Sequence, residues 1–351
     1  MKRMPQYGPP ASRRPAPVFA GGTPAVHKQR MSSLPPVRPI TLAEIEAARE
    51  RIKGVVLRTP LVNLDTGSGG PDIRLKLENL QPTNAYKIRG GVNAVAMLSD
   101  EERKRGVWTI SAGNAGQAVA YAARAAGVPC KIVVIETAPK TKVDRMHALG
   151  ADLILAPFDV CWRALETHEF PGMDGALVHP FDDHNFIAGH GSMALEILED
   201  CPDVKTVIAA IGGGGLIAGV GSALKAKAPH VKVLGAEPET AAPLSVSLAA
   251  DAPQEFHAWQ YSFVDGAGGR SVIGRMWERM KPLVDGDIVV TLEETRRAMR
   301  LMAEKARVIA EGAGALPLAA ALSGKAGDGP IVCVVSGGNI DLAKFCELIA
   351  V

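Results

Sequence analysis

Residues 77–91 have the sequence Leu77-Glu78-Asn79-Leu80-Gln81-Pro82-Thr83-Asn84-Ala85-Tyr86-Lys87-Ile88-Arg89-Gly90-Gly91. The stretch carries one lysine, Lys87, between an aromatic and an aliphatic residue. Its Pro, Asn and Gly residues predict that Lys87 lies in a turn. A lysine is ordinarily a solvated surface charge, but a partly desolvated one becomes an amine nucleophile and base. Lys87 is therefore the candidate catalytic residue.

The composition narrows the class of protein. A chain of 351 residues is long enough for two lobes around one cleft. Hydrophobic residues make up 47% and charged residues 22%, which is ordinary for a soluble enzyme. No run of about 18 apolar residues, the length that predicts a membrane span, occurs. A net charge of +2 is too small for a nucleic-acid-binding surface. We expect a soluble protein that binds neither nucleic acid nor membrane.

The cysteines indicate the compartment. The chain has five, widely spaced and without the Cys-x-x-Cys pairs of zinc sites or redox dithiols. They predict reduced, mostly buried thiols in a cytoplasmic protein without a bound metal.

The first residues differ from the rest. Residues 1–37 are rich in Pro, Gly, Ser and Arg and lack apolar periodicity, which predicts a disordered tail. They have no apolar segment typical of a secretory signal, although their acid-free, Arg-bearing composition has some transit-peptide character. Met31 is an alternative start of translation, which mass spectrometry of the native N-terminus would test.

Strands and helices alternate along the remaining chain. Thr41 and Glu44 form a capping-box pattern at the start of a helix that ends near Gly54, and residues 73–78 alternate as a half-buried strand does. The further predicted elements are helix 91–105, strand 107–110, helix 117–126, strand 131–135, helix 141–149, helix 189–198, strand 206–211, helix 216–226, strand 231–237, strand 288–290, helix 292–307, helix 313–322 and strand 331–335. This order predicts right-handed βαβ units and an α/β fold with parallel sheets.

Three turn loops follow apolar strands. They are Ser111-Ala112-Gly113-Asn114, Gly212-Gly213-Gly214-Gly215 and Ser336-Gly337-Gly338-Asn339. The loops that follow parallel strands gather at the carboxyl edge of a sheet, where ligands bind. The four glycines can turn their N–H groups toward a phosphate, or they form only a flexible turn. The loop at residues 111–114 suits a carboxylate, or it only caps a helix.

These segments, in this order and spacing, carry a family resemblance. Together with Asn79-Leu80-Gln81-Pro82-Thr83 and Lys87-Ile88-Arg89-Gly90, they resemble the serine/threonine dehydratases of the tryptophan-synthase-β-like enzymes, which use pyridoxal 5'-phosphate and have fold type II. The resemblance covers the chain from about residue 41 onward. It implies a two-lobed fold of parallel twisted sheets flanked by helices, with the cofactor in the cleft. The implied domains are a large one, residues 38–99 and 176–351, and a small one, residues 100–175.

The resemblance also implies roles for individual residues. Lys87 would bind the cofactor covalently and remove the α-proton of the substrate. The cofactor phosphate would be held by Gly212, Gly213, Gly214, Gly215 and Leu216. Ser336 would meet the pyridine nitrogen, Asn114 the phenolic oxygen, and Glu311 would lie near the ring. The substrate carboxylate would be bound by Ser111, Ala112, Gly113 and Asn114.

The chain departs from the family pattern around the substrate. The family usually has Gly-Ser-Phe where this chain has Asn84-Ala85-Tyr86, His-Ala where it has Ala115-Gly116, and a Gln-like residue at His190. The smaller Ala115 predicts room for a larger β-substituent than that of threonine. Ala112 stands where related serine racemases have a second base. Glu237 matches a cation ligand of related enzymes, but Pro243 replaces the second carboxylate.

The leading hypothesis is therefore β-elimination from a 3-hydroxy amino acid of the threonine or serine type, which yields a 2-oxo acid and ammonia. The alternatives are a β-replacement synthase or a racemase of the same fold, and a catalytically silent protein that binds the cofactor. The resemblance further implies a homodimer or homotetramer.

Overall fold

The larger of two β-sheets places two of the three loops. The computed structural model describes residues 34–138 and 140–350, and within these residues six strands pair in the order β1-β2-β10-β7-β8-β9. β1 is antiparallel to β2, and the other neighbours are parallel. The strands are β1 (Leu61–Asn63), β2 (Ile73–Lys76), β7 (Thr206–Ala210), β8 (Lys232–Pro238), β9 (Gly286–Val290) and β10 (Ile331–Val334).

The smaller sheet places the third loop. Its four strands are all parallel, in the order β5-β4-β3-β6. They are β3 (Val107–Ile110), β4 (Cys130–Ile135), β5 (Asp152–Ala156) and β6 (Ala176–Leu177). The predicted α/β class with parallel sheets is thus confirmed. The division into two domains stays a prediction. The predicted tail, apart from residues 34–37, and the alternative start at Met31 lie outside the described residues.

Helices separate the strands. They are α1 (Leu42–Arg51), α2 (Lys87–Ala96), α3 (Asp100–Arg105), α4 (Asn114–Ala126), α5 (Lys140–Ala148), α6 (Phe158–Thr167), α7 (His184–Asp200), α8 (Gly215–Lys227), α9 (Pro243–Ala250), α10 (Gly274–Met280), α11 (Leu292–Leu301), α12 (Gly312–Leu322) and α13 (Leu342–Ile349). The capping box of Thr41 and Glu44 is present at α1. No helix in the described part of the chain is long and apolar enough to cross a membrane.

The prediction that Lys87 lies in a turn was wrong. Lys87 is the first residue of α2, which includes Gly90 and Gly91 despite their low helix propensity. Tertiary packing explains this, because a Cβ on Gly90 would lie 2.6 Å from the Phe186 carbonyl and one on Gly91 2.8 Å from the Ala118 carbonyl. The two glycines let α2 pack closely against α7 and α4.

Other boundaries also differ from the prediction. The predicted helix 91–105 is two helices, because Ser99 forms a capping box with Glu102 and starts α3. The helix predicted from Gln117 begins at Asn114. The sequence patterns missed β1, β5, α6, the two-residue strand β6, and α13. β5 lies at the edge of its sheet and is only partly buried, so it lacks a clear apolar pattern.

A buried cluster of charges holds α2 to its neighbours. Arg89 donates to both carboxylate oxygens of Glu78, just after β2, and to both of Glu196 on α7, all at 2.8 Å. Lys76 of β2 donates to Glu196 at 2.6 Å. The four side chains are at most 6% exposed. Burial alone would raise the pKa of Glu78, but the Arg89 charge lowers it, so two cations balance two carboxylates.

Arg89→Met tests this cluster. The substitution leaves Lys76 to balance two buried carboxylates, so we expect the free energy of unfolding to fall by about 3 to 5 kcal/mol. Urea denaturation measures it. Lys104→Ala, which removes an exposed ion pair with Glu101, is the control and should leave the unfolding midpoint unchanged. A loss of less than about 1 kcal/mol in Arg89→Met would contradict the assigned role.

Candidate active site

One cavity of about 580 Å³ collects nearly all the residues singled out in the sequence. It lies at the carboxyl ends of β3, β7 and β10, where the three loops meet. The predicted site residues that line it are Lys87, Ser111, Ala112, Gly113, Asn114, Gly212, Gly213, Gly214, Leu216, Glu311 and Ser336. Gly215 is the exception, since it starts α8 behind the loop. The three loops therefore converge on one cavity, as their order and spacing in the sequence predicted.

Lys87 lies in the cavity with no counter-charge supplied by the described residues. Its Nζ donates to the Pro180 carbonyl at 2.6 Å and lies 5.2 Å from the centroid of the Tyr86 ring and 5.4 Å from that of Phe186. Burial lowers the pKa of Lys87 to about 7. A large fraction of this amine is consequently uncharged at neutral pH and able to act as nucleophile or base.

Asn84 explains one departure from the family pattern. Its backbone has φ +54°, in the left-handed region that favours glycine and that asparagine tolerates better than most residues. Asn therefore replaces the family's Gly without changing the turn. The Gly338 N–H donates to the Asn84 carbonyl at 2.9 Å, and the Tyr86 N–H donates to the Ser336 carbonyl at 3.0 Å. These bonds fix the lysine segment to the loop after β10.

The glycine loop has the geometry of an anion site. It connects β7 to the N-terminus of α8, whose first-turn N–H groups lack helical partners. Gly214 has φ +85°, and a Cβ on Gly213 would lie 2.3 Å from the Phe181 ring. Two of the four positions thus require glycine for conformation or space, which argues against a merely flexible turn.

Asn114 and Glu311 form a polar pair on the opposite wall. Asn114 Nδ2 donates to Glu311 Oε1 at 2.7 Å. Burial, together with the nearby Asp265 charge, raises the pKa of Glu311 to about 7. A Cβ on Gly337 would lie 2.5 Å from Glu311 Oε1, so this glycine makes room for the pair. Ser336 lines the same cavity.

His190 does not line the cavity, which corrects the expectation that it belongs to the substrate side. It is fully buried behind α2, edge-on to Tyr86 at 4.6 Å and Phe186 at 4.7 Å between centroids. Neither ring nitrogen has a partner among the described residues, and burial lowers its pKa well below the usual value. His190 therefore packs as a neutral ring against the lysine helix. Ala115, in contrast, does line the cavity.

Glu237 lies away from the cavity, at the end of β8. Its carboxylate accepts the N–H groups of Leu244 and Ser245 at 2.9 Å each, in the first turn of the helix that Pro243 begins. Pro243 thus belongs to a helix start that supplies backbone donors where the related pattern has a carboxylate. The absence of a metal stays a prediction.

Several lining residues escaped the sequence argument. Phe181, Lys142 and Asp265 all face the cavity, and Lys142 forms an ion pair with Asp265 at its mouth. The glycines that follow Asp265 mark a loop in the sequence, but only the fold shows that this loop reaches the site. Lys142 and Asp265 are 123 positions apart, so no local pattern connects them.

Comparison with known proteins identifies the family. A family model described as "Pyridoxal-phosphate dependent enzyme" matches residues 52–337. This chain belongs to that family. As a pyridoxal-phosphate-dependent enzyme it is similar to the L-threonine ammonia-lyase of Thermotoga maritima, with 42% identity over 88% of this chain and 78% of the relative. It is also similar to the catabolic L-threonine dehydratase of Staphylococcus aureus, with 38% identity over 88% and 92%.

Solved structures show the same fold. Maize serine racemase superposes with a TM-score of 0.80 and 34% identity, over 88% of this chain and 97% of that one. The processed form of threonine deaminase isoform 2 from Solanum lycopersicum gives a TM-score of 0.78 and 31% identity, over 90% and 96%. The predicted fold type II of pyridoxal-phosphate-dependent enzymes is therefore confirmed.

The residues in the cavity fit this cofactor. An uncharged lysine amine suits its aldehyde, and the glycine loop at a helix N-terminus suits its phosphate. Ser336 and Asn114 line the cavity, and a hydroxyl group and an amide are of the right types for the pyridine nitrogen and the phenolic oxygen. The individual roles of these residues stay predictions.

Gly213→Ala tests the phosphate loop. The added methyl group meets the Phe181 ring and pushes the loop out of position, so we expect the dissociation constant of pyridoxal phosphate to rise about tenfold or more. Equilibrium titration of the cofactor-free protein by absorbance measures it. Gly274→Ala, where a Cβ meets nothing within 4 Å, is the matched control. Equal affinities of the two variants would exclude the loop as the phosphate site.

Proposed function

We propose that this enzyme is an ammonia-lyase that eliminates the β-hydroxyl group of a 3-hydroxy amino acid of the threonine or serine type. The products are a 2-oxo acid and ammonia. The observation that carries the proposal is the buried Lys87 amine, whose pKa burial lowers to about 7, in the same cavity as a phosphate-type loop and Ser336. The two relatives named above act, by their names, on L-threonine.

The residues divide the work of the reaction. Pyridoxal phosphate, when bound, supplies an electron sink for the substrate α-carbon. Lys87 removes the α-proton, for which its pKa of about 7 is suited at neutral pH. The loop of residues 111–114 binds the substrate carboxylate, and its shape is set by the Gly113 N–H, which donates to the Ser111 hydroxyl at 3.1 Å. The β-hydroxyl group leaves with one proton as water, and a second water hydrolyses the resulting enamine, after it tautomerises to the imine, to the 2-oxo acid and ammonia.

Ser336 favours elimination over transamination. A hydroxyl group leaves a pyridine nitrogen unprotonated, whereas a carboxylate would keep it protonated and deepen the electron sink. A weaker sink suits a reaction in which the β-substituent leaves as soon as negative charge develops on the α-carbon.

Racemisation is the second candidate, because the maize structure is named a serine racemase. It requires a base on the face of the substrate opposite Lys87. Ala112, which lines the cavity where the resemblance places that base, has no group that can take a proton. Elimination therefore fits these residues better. A β-replacement synthase and a catalytically silent protein are separated from it by the products formed.

The walls of the cavity indicate the substrate side chain. Ile110, Ala115, Ile135 and Leu165 form an apolar surface contributed by the smaller sheet and its connections. The surface suits an uncharged β-substituent larger than a methyl group. The cytoplasmic location and the homodimeric or homotetrameric state are further predictions.

Lys87→Ala tests the catalytic assignment. The variant lacks the amine that attaches the cofactor and removes the α-proton, so we expect loss of the visible absorption band of the lysine-bound cofactor and loss of turnover by at least about 10³-fold. Lys104→Ala, an exposed lysine, should keep both. Formation of 2-oxo acid by Lys87→Ala at the wild-type rate would refute the assignment.

A substrate panel tests the specificity. We expect kcat/KM for phenylserine to be higher than that for threonine, or lower by no more than about tenfold. The reason is that a group that fills an apolar pocket can raise kcat/KM by roughly 10- to 200-fold. Serine and 3-hydroxyaspartate complete the panel, and a coupled 2-oxo acid assay measures all four. A strong preference for threonine would contradict the enlarged pocket. Production of the D-amino acid in place of 2-oxo acid would favour the racemase.

A further inference from the structure

A chain of side-chain hydrogen bonds leads from α5 into the site. Arg145 of α5 donates through Nη1 to Asn339 Oδ1. Asn339 Nδ2 donates to Asn114 Oδ1 at 2.7 Å, and Asn114 Nδ2 donates to Glu311 Oε1 at 2.7 Å. The bonds join residues from four separate segments of the chain. Arg145 has no part in the function proposed above.

The direction of these bonds is set at Asn339, by the Arg145 guanidinium and by the Thr83 carbonyl. A guanidinium has donors only, so the Asn339 amide must present its oxygen to Arg145 and its nitrogen to Asn114. The Thr83 carbonyl accepts from the same nitrogen at 2.9 Å, and Asn84 is a weaker second donor to the oxygen at 3.4 Å. Asn114 is thereby oriented with its nitrogen toward Glu311 and the cavity.

The charges along the chain support this order. Arg145 is positive at one end, and Glu311 is a buried carboxyl group at the other, with Asp265 and Lys142 as the other charged groups that act on it. The Asn339 backbone N–H also bonds to the Glu311 carboxyl group. If the Asn114 amide turned over, its oxygen would face Glu311, and this acceptor pair would be unfavourable whenever Glu311 is ionised.

We propose that Arg145 is a positioning residue, which holds the Asn114 amide so that an N–H rather than a carbonyl oxygen points at the cofactor. The inference rests on the proposed function, because Asn114 is placed at the cofactor's phenolic oxygen. A donor at that oxygen favours its ionised form. Arg145 thus controls, through two amides, how firmly the site holds the cofactor and which protonation state it takes.

The experiment compares variants of the holoenzyme by absorbance. In Arg145→Leu we expect the ratio of the visible to the near-ultraviolet cofactor band to fall at neutral pH, and the dissociation constant of pyridoxal phosphate to rise about tenfold. Arg145→Lys, which keeps a cationic donor, should recover most of both. Lys140→Leu is the matched control, since Lys140 lies on the same helix but pairs with the exposed Asp144, and it should change neither.

Asn339→Asp separates orientation from folding. Aspartate has nearly the same shape and still pairs with Arg145, but it cannot donate to Asn114. Asn114 must then turn its nitrogen toward residue 339 and its oxygen toward the cavity, so the band ratio of the folded protein should fall as in Arg145→Leu, while the lost bond to the Thr83 carbonyl lowers the unfolding midpoint as well. An unchanged ratio in both variants, with only lower unfolding midpoints, would overturn the inference.

The result is distinguishable from a failure of the proposed function. If the wild type binds the cofactor and forms a 2-oxo acid but the variants show unchanged spectra, the positioning role alone is wrong. If the wild type binds no cofactor or forms no 2-oxo acid, the proposed function is wrong.

Discussion

Arg89 of α2 balances two buried carboxylates, and the position of Lys87 on the same helix depends on that balance. Glu78 follows β2 of the larger sheet, and Glu196 lies on α7, so one guanidinium ties a strand and two helices together. Leaving a charge unpaired in such a place is costly, which permits little rotation of α2. Lys87, two residues earlier in the same turn, consequently points toward the cavity and away from the core.

The same helix is confined on its other sides by close packing. Gly90 and Gly91 bring α7 and α4 against its backbone, and His190 supports the ring of Tyr86 from behind. The pKa of Lys87 is therefore lowered by burial of its amine and not by an adjacent cation. This arrangement lowers its pKa, while no carboxylate of the described residues pairs with the amine.

Local signals in the sequence were sufficient for much of the fold. The capping residue Thr41 begins a helix as predicted, since a cap depends only on residues three positions apart. Lys87 was wrongly predicted to lie in a turn, because its helix contains two glycines of low helix propensity that are explained only by tertiary packing. The loops of the site could be found by composition and order. The bond between Arg145 and Asn339, 194 positions apart, could not, because no local pattern encodes it.

The two sheets contribute unequal parts of the cavity. The larger sheet and α2 supply the lysine, the glycine loop and Ser336, each fixed by packing or by backbone conformation. The apolar wall from Ile110, Ile135 and Leu165 belongs to the smaller sheet and its connections, and these side chains make none of the contacts described above for Lys87 and the glycine loop. Evolution can therefore vary one half of the cavity while the other half stays constant. Enzymes with different substrates could diverge from this scaffold with the chemistry unchanged.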